Sequence, residues 1–199
     1  TFILYNANAV VITLAHAFAP FAILPIFVSL EKIDRSLLEA ARDLGADLPE
    51  DWVARFYDKM FARLRQGVPL ICGVMRVIDS LEARGVQIWV ASNGPMAKME
   101  ITLGPHGLWD RFAGRIMSRE NHAPKPAPDM VQHALSVSRI APDRAVFIDD
   151  SATGCGAGIA AGVRTIGYAE DSDPDKLRTA GAEVVRSMAE VAATLGLGE

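Results

Sequence analysis

The first thirty residues contain no Asp, Glu, Lys or Arg, and charge begins only at Glu31 and Lys32. The gap is local, because the 199-residue chain as a whole is 50% hydrophobic with a formal net charge of −4. Cysteine is scarce as well. Cys72 and Cys155 stand far apart without metal-ligand spacing, which excludes a disulfide-stapled fold and predicts two reduced thiols in a cytosolic setting. No strongly basic balance is present, so no nucleic-acid partner is expected. Nor is the composition that of a disordered chain. Internal repeats and low-complexity tracts are missing, and the length suits one good-sized domain or two small ones. A cleavable signal peptide fits badly, since no basic segment precedes the apolar run and no small-residue cleavage pattern follows it.

What is there at the N-terminal end is apolar. Val10 to Leu30 has about the length a helix needs to cross a hydrocarbon core, roughly 20 residues. It includes His16, Pro20 and Pro25, and prolines are tolerated better in transmembrane helices than in isolated soluble ones. The pattern predicts a transmembrane-type helix and membrane association through residues 10–30, with a buried core segment as the alternative. Lys32, Arg35 and Arg42 follow, so the positive-inside tendency places residue 31 onward in the cytoplasm. Further on, Ser36 suits a helix cap, Glu39 its capping-box partner and Gly45 a helix stop.

From Asp47 the character changes. Trp52, Phe56, Met60 and Leu64 recur at helical spacing with charged residues between them, and Val74 to Arg84 reads as a second helix closed by Gly85. Strands are then expected over Val86–Ala91, Arg115–Ser118, Ala145–Ile148, Arg164–Gly167 and Glu183–Val185. Helices are expected over Pro95–Leu103, Pro128–Val137, Thr153–Ala161, Pro174–Ala180 and Ser187–Leu195. Such alternation indicates an α/β domain with a largely parallel sheet, whose sites collect at the carboxyl ends of its strands.

Three features fall at those ends. The run Val146-Phe147-Ile148 delivers Asp149 and Asp150 side by side. Adjacent carboxylates repel and are costly to desolvate, so a cation such as Mg²⁺, which prefers oxygen ligands, is a natural companion; two solvated aspartates are the alternative. Ser92 and Asn93 end a hydrophobic strand, where a hydroxyl and the amides of a following helix start can hold a phosphoryl oxygen, though the pair is also ordinary turn chemistry. Lys125 sits between Pro124 and Pro126, and the prolines restrict where its ammonium points. His106 and His122 are candidate substrate contacts or ordinary surface histidines, while His16 and His133 lack ligand partners at suitable spacing. Gly154, Gly156 and Gly158 suit close helix–sheet packing better than a dinucleotide site.

Two resemblances follow. Residues Pro20 to Pro25, Leu30 to Asp34 and Leu38 to Ala46 together resemble permease subunits of binding-protein-dependent ABC importers, of the spermidine/putrescine type. The run Glu39 to Gly45 is similar to that family's EAA loop, a cytoplasmic helix-turn that docks on the transport ATPase. This likeness covers about residues 4–46. It implies a transport ATPase as partner through residues 36–46, and an inner-membrane location where the apolar helix inserts. The further transmembrane helices of that family are missing here, so transport by this chain alone is not expected.

Ser92-Asn93, Lys125 and Asp149-Asp150, in this order and spacing, resemble motifs two, three and four of the haloacid dehalogenase (HAD) superfamily, in its phosphoglycolate-phosphatase and phosphomutase branch. This likeness covers about residues 48–199. It implies an α/β, Rossmann-like parallel sheet with part of a helical cap, and Mg²⁺-dependent hydrolysis of a small phosphorylated metabolite by a cytoplasmic domain. By that resemblance Ser92 binds the phosphoryl group, Asn93 shapes its pocket, Lys125 neutralises phosphate and nucleophile as a catalytic residue, and Asp149 and Asp150 hold Mg²⁺. The implied organisation is a permease-like fragment over 1–47, a partial cap and linker helix over 48–84, and a hydrolase core over 85–199.

The superfamily's nucleophile is the first Asp of an Asp-x-Asp motif, on a strand that precedes the cap, and residues 1–30 hold no Asp. In Phe2 to Val11, Asn6 and Asn8 follow the outline of that motif as a weak, degenerate match. A carboxamide supplies neither an anionic nucleophile nor a proton relay. The expectation is therefore a core missing its first central strand, with Phe2 to Tyr5 as a candidate substitute, and hydrolysis lost or impaired. A membrane-anchored permease fragment and a fusion without function of its own stand beside that reading.

Overall fold

A computed structural model of the chain describes residues 9–12 and 52–198. It divides into two compact units, one of residues 1–17 and 70–199 and one of residues 18–69. In the second unit the described part is mainly helix α1, Trp52–Leu64, where Tyr57 and Phe61, one turn apart, bring their ring centroids to 5.9 Å.

The first unit holds the sheet. Its strands are β1 (Ala9–Ile12), β2 (Gln87–Ser92), β3 (Ile116–Ser118), β4 (Val146–Asp149), β5 (Arg164–Tyr168) and β6 (Glu183–Val185). All pair in parallel, in the order β3-β2-β1-β4-β5-β6. The helices are α2 (Val74–Ala83), α3 (Met96–Leu103), α4 (Leu108–Arg111), α5 (Asp129–Ser138), α6 (Ala152–Ala160), α7 (Pro174–Thr179) and α8 (Met188–Thr194). The expected α/β alternation from residue 74 onward is present, with bounds shifted by a residue or two, and α4 is added to it.

Continuous apolar runs build the middle of the sheet. Ile88 to Ser92 in β2 and all of β4 are buried, as a parallel strand covered on both faces requires. Helix α5 packs across β1 and β2, and Met130, Val131 and Ala134 from it join Trp89, Met117 and Phe147 in one core cluster. Each fully buried large apolar side chain there contributes about 1.5–3 kcal/mol.

The expected gap at the centre of the sheet is not there. Strand β1 fills it, with Val10 opposite Ile88 and Val11 opposite Trp89 on one side, and Val10 opposite Val146 and Ile12 opposite Ile148 on the other. A transmembrane-type helix starting at Val10 is thereby corrected, because Val10 to Ile12 are strand. Short apolar runs read alike as buried strand or helix from periodicity alone. Val-Val-Ile is β-branched, and two flanking strands offer backbone groups that need partners. Among the described residues no helix is long and apolar enough to cross a membrane. Phe2 to Tyr5, residues 13–30 and residues 36–46 lie outside the described residues.

The chain runs outward from β1 to β2 and β3, then returns to place β4 on the other side of β1. Such a reversal, at the carboxyl ends of the central strands, is the usual ligand position in sheets of this kind.

Candidate functional site

At this edge the structure brings together four of the expected side chains. Asp149, the last residue of β4, is 1% exposed, and Lys125 is 5% exposed. Lys125 Nζ donates to Asp149 Oδ2 at 2.8 Å and to the Ala91 carbonyl at 3.3 Å. The other carboxylate oxygen, Asp149 Oδ1, accepts from Ser151 N at 2.9 Å and Ser151 Oγ at 2.7 Å. A buried ion pair offsets its own desolvation only when its remaining valences are filled, and here both oxygens are engaged.

The loop after β2 is tied to the same lysine. Asn93 Oδ1 accepts from Lys125 N at 2.8 Å, and Asn93 Nδ2 donates to Lys125 O at 3.0 Å. The Pro-Lys-Pro segment is thus held by a reciprocal amide pair as well as by its prolines. Ser92 is 3% exposed, and its Oγ accepts from Gly94 N at 3.0 Å, closing a tight turn. Asp150 follows Asp149 and is half-buried.

Helix α6 seats this arrangement from below. Ser151 caps it by accepting from Gly154 N at 2.9 Å, so one serine both starts the helix and fixes Asp149. A Cβ at Gly154 would overlap the Asp149 carboxylate, and one at Gly158 would overlap Thr165 and Phe147. The glycine-rich run therefore serves close helix–sheet approach, as its sequence suggested. Cys155 is buried, with Sγ 3.7 Å from the Asp149 carbonyl oxygen. Burial above all, then the nearby Asp149 and Asp150 charges, pushes its thiol up to about 12. It stays protonated at neutral pH and offers no thiolate nucleophile.

Asn6 and Asn8 lie outside the described residues. After Ile12, which pairs level with Ile148, the sequence continues Thr13-Leu14-Ala15 without a carboxylate. His122 packs its ring on His133, centroids 4.7 Å apart, and His106 lies in the turn after the far end of α3.

Sequence reasoning missed Ser151, Ser118 and Glu120. Ser151 was legible as a cap between an acidic pair and a small-residue helix. Ser118 and Glu120, which bond the loop after β2, carry no local signal.

Mg²⁺ takes six oxygens and keeps several waters, so one or two protein carboxylates suffice. Asp149 and Asp150 fit that habit in kind. Among the described residues no group of three or more His, Cys, Asp or Glu side chains converges on a metal position.

Known proteins share the fold. The HAD family hydrolase of Deinococcus radiodurans R1, solved with bound phosphate and sodium, matches 96% of each chain with a TM-score of 0.75 at 24% identity. The bifunctional riboflavin kinase/FMN phosphatase of Arabidopsis thaliana is 28% identical over 169 residues, 82% of this chain and 44% of that protein. The spermidine/putrescine transport system permease protein PotB of Salmonella typhimurium is 43% identical over 51 residues, 26% of this chain and 18% of the permease. The chain thus spans less than half the length of these two curated relatives. The family pattern described as haloacid dehalogenase-like hydrolase matches residues 5–168 and so takes in β1, further toward the N-terminus than the three motifs alone. With that match over most of its length, and Lys125, Asp149, Ser92 and Asn93 gathered at one sheet edge, the chain belongs to the haloacid dehalogenase-like hydrolases.

Proposed function

We propose that this chain carries the phosphate- and cation-binding half of a phosphomonoesterase site, takes small phosphorylated metabolites, and hydrolyses them weakly or not at all. The observation that carries the reading is the buried Lys125–Asp149 pair tied through Asn93 to the Ser92 loop. The Ser92 hydroxyl and the Asn93 N–H receive phosphoryl oxygens, and Lys125 places a cation beside them. Lys125, Asp149 and Asp150 together carry a formal charge of one negative, so a phosphate dianion is repelled until a divalent cation joins. Mg²⁺ held by Asp150 and Asp149 would supply that positive charge. Hydrolysis in this family type also needs a carboxylate nucleophile, and none follows β1 in residues 13–30.

Isothermal titration with inorganic phosphate, with and without Mg²⁺, tests the binding claim; binding that ignores Mg²⁺ and survives Asp150→Ala rules it out. Robust turnover of p-nitrophenyl phosphate, abolished by Asp149→Ala, would sink the claim of weak or lost hydrolysis.

A second reading rests on the 43% local identity to the permease. In it, a permease-derived segment is joined near residues 45–48 to the hydrolase, residues 36–46 contact a transport ATPase, and the apolar residues after β1 associate with membrane. Recovery of the full chain in the supernatant of detergent-free lysates speaks against it, as does an interrupted reading frame across codons 40–50.

A further inference from the structure

We infer that Ser118 and Glu120 are positioning residues for the Ser92–Gly94 loop, an inference that rests on the phosphate-binding reading of that loop. Pairing between β2 and β3 ends at Ser92 opposite Ser118. Past that point the loop is held by bonds from the three residues that leave β3. Ser118 is 0% exposed. Its Oγ donates to the Gly94 carbonyl at 2.9 Å and accepts from Glu120 N at 3.1 Å. Arg119 N donates to the Ser92 carbonyl at 3.2 Å. Glu120 Oε2 accepts from Met96 N at 2.9 Å, at the first residue of α3.

An alanine would fill the Ser118 position as well for packing. What the serine adds is a proton for the buried Gly94 O, which would otherwise lack that partner, and a lone pair for the part-buried Glu120 N. The Glu120 carboxylate lies at the N-terminus of α3, where an anion is favoured. It also occupies the Met96 N–H, so that donor is not open to a ligand, and phosphoryl oxygens are left to Ser92 and Asn93. Asn93 secures the opposite flank of the loop through Lys125. The loop is therefore clamped from both sides, and the β3 side depends on two side chains outside the family motifs.

The test compares Ser118→Ala, Glu120→Ala and Glu120→Gln in the full chain by residue-resolved amide exchange and by titration with inorganic phosphate and Mg²⁺. Exchange at Met96 in Glu120→Ala, and at Glu120 in Ser118→Ala, should rise about tenfold while α6 is unchanged. Phosphate should bind about tenfold more weakly in both alanine variants, and Glu120→Gln, which keeps an acceptor, should stay near wild type. Unchanged exchange in the alanine variants overturns the clamp. Raised exchange with undiminished phosphate affinity overturns the positioning role. If Ser118→Ala fails to fold, the exposed Glu120 variants decide alone. A wild-type protein that binds no phosphate defeats the functional reading instead, and exchange then decides the clamp by itself.

Discussion

Strands β1 and β4 lie side by side at the centre of the sheet, paired in parallel from Val10–Val146 to Ile12–Ile148. As sheet elements they are near equivalents. As carriers of chemistry they are opposites. Strand β4 runs into Asp149 and Asp150, with Lys125 and Ser151 arranged around the first of them. Strand β1 runs into Thr13, Leu14 and Ala15. A ladder asks only for backbone groups and apolar, β-branched side chains, which many segments supply. A phosphoryl-transfer site asks for particular atoms at particular places. One slot in the sheet can thus be filled by an apolar strand that brings no carboxylate in residues 13–15.

The largest effect expected on the β4 side comes from Lys125→Met. It leaves the Asp149 charge buried without its partner and should cost about 3–5 kcal/mol in chemical denaturation. The double variant with Asp149→Asn should recover much of that loss, and equal losses in both would mean that the pair is not the unit it looks like. On the β1 side the comparison is broken by giving the strand what it lacks. Thr13→Asp with Ala15→Asp should raise Mg²⁺-dependent turnover of p-nitrophenyl phosphate by about 10²-fold or more. Turnover that stays at background would show that carboxylates are not the only difference between the strands.

Gly154→Ala is a smaller change at the same place. Its methyl overlaps the Asp149 carboxylate, and overpacking of this kind costs about 1–3 kcal/mol, readable as a lowered Tm. The smallest effect concerns Cys155, whose thiol shifts from an ordinary 9.0 up to about 12. Between those values the unfolded chain holds fewer protons than the folded one, so stability falls as pH rises. The contribution is intact below about pH 9 and gone once pH passes about 12. Denaturation at pH 8 and pH 10 should show a decline that is shallower in Cys155→Ala. In native protein near pH 8, a thiol reagent should modify the exposed Cys72 and spare Cys155.

Much of the fold was legible because its signals are local. Helix α2 stops at Gly85, whose φ of +70° suits glycine. Buried parallel strands announce themselves as unbroken apolar runs, and the motif residues Ser92, Lys125 and Asp149 were picked out by type and spacing. The start of the N-terminal stretch, Val10 to Ile12, misled for a physical reason. Hydropathy over residues 10–30 measures aversion to water, and it does not record whether lipid or two waiting strands relieve it. Ser118 and Glu120 were invisible for a related reason, since their partners lie 24 residues away in the chain.

By itself the sequence determined the alternation of strands and helices, the strand ends that carry charge, and the missing carboxylates, because periodicity, residue type and absence are properties of the chain alone. Tertiary structure alone decided that Ala9–Ile12 completes the sheet, that Asp149 is held by Lys125 and Ser151, and that residues leaving β3 hold the loop after β2. Those outcomes depend on which backbone groups need partners once the sheet assembles, and satisfying buried hydrogen-bonding groups is a property of the folded whole.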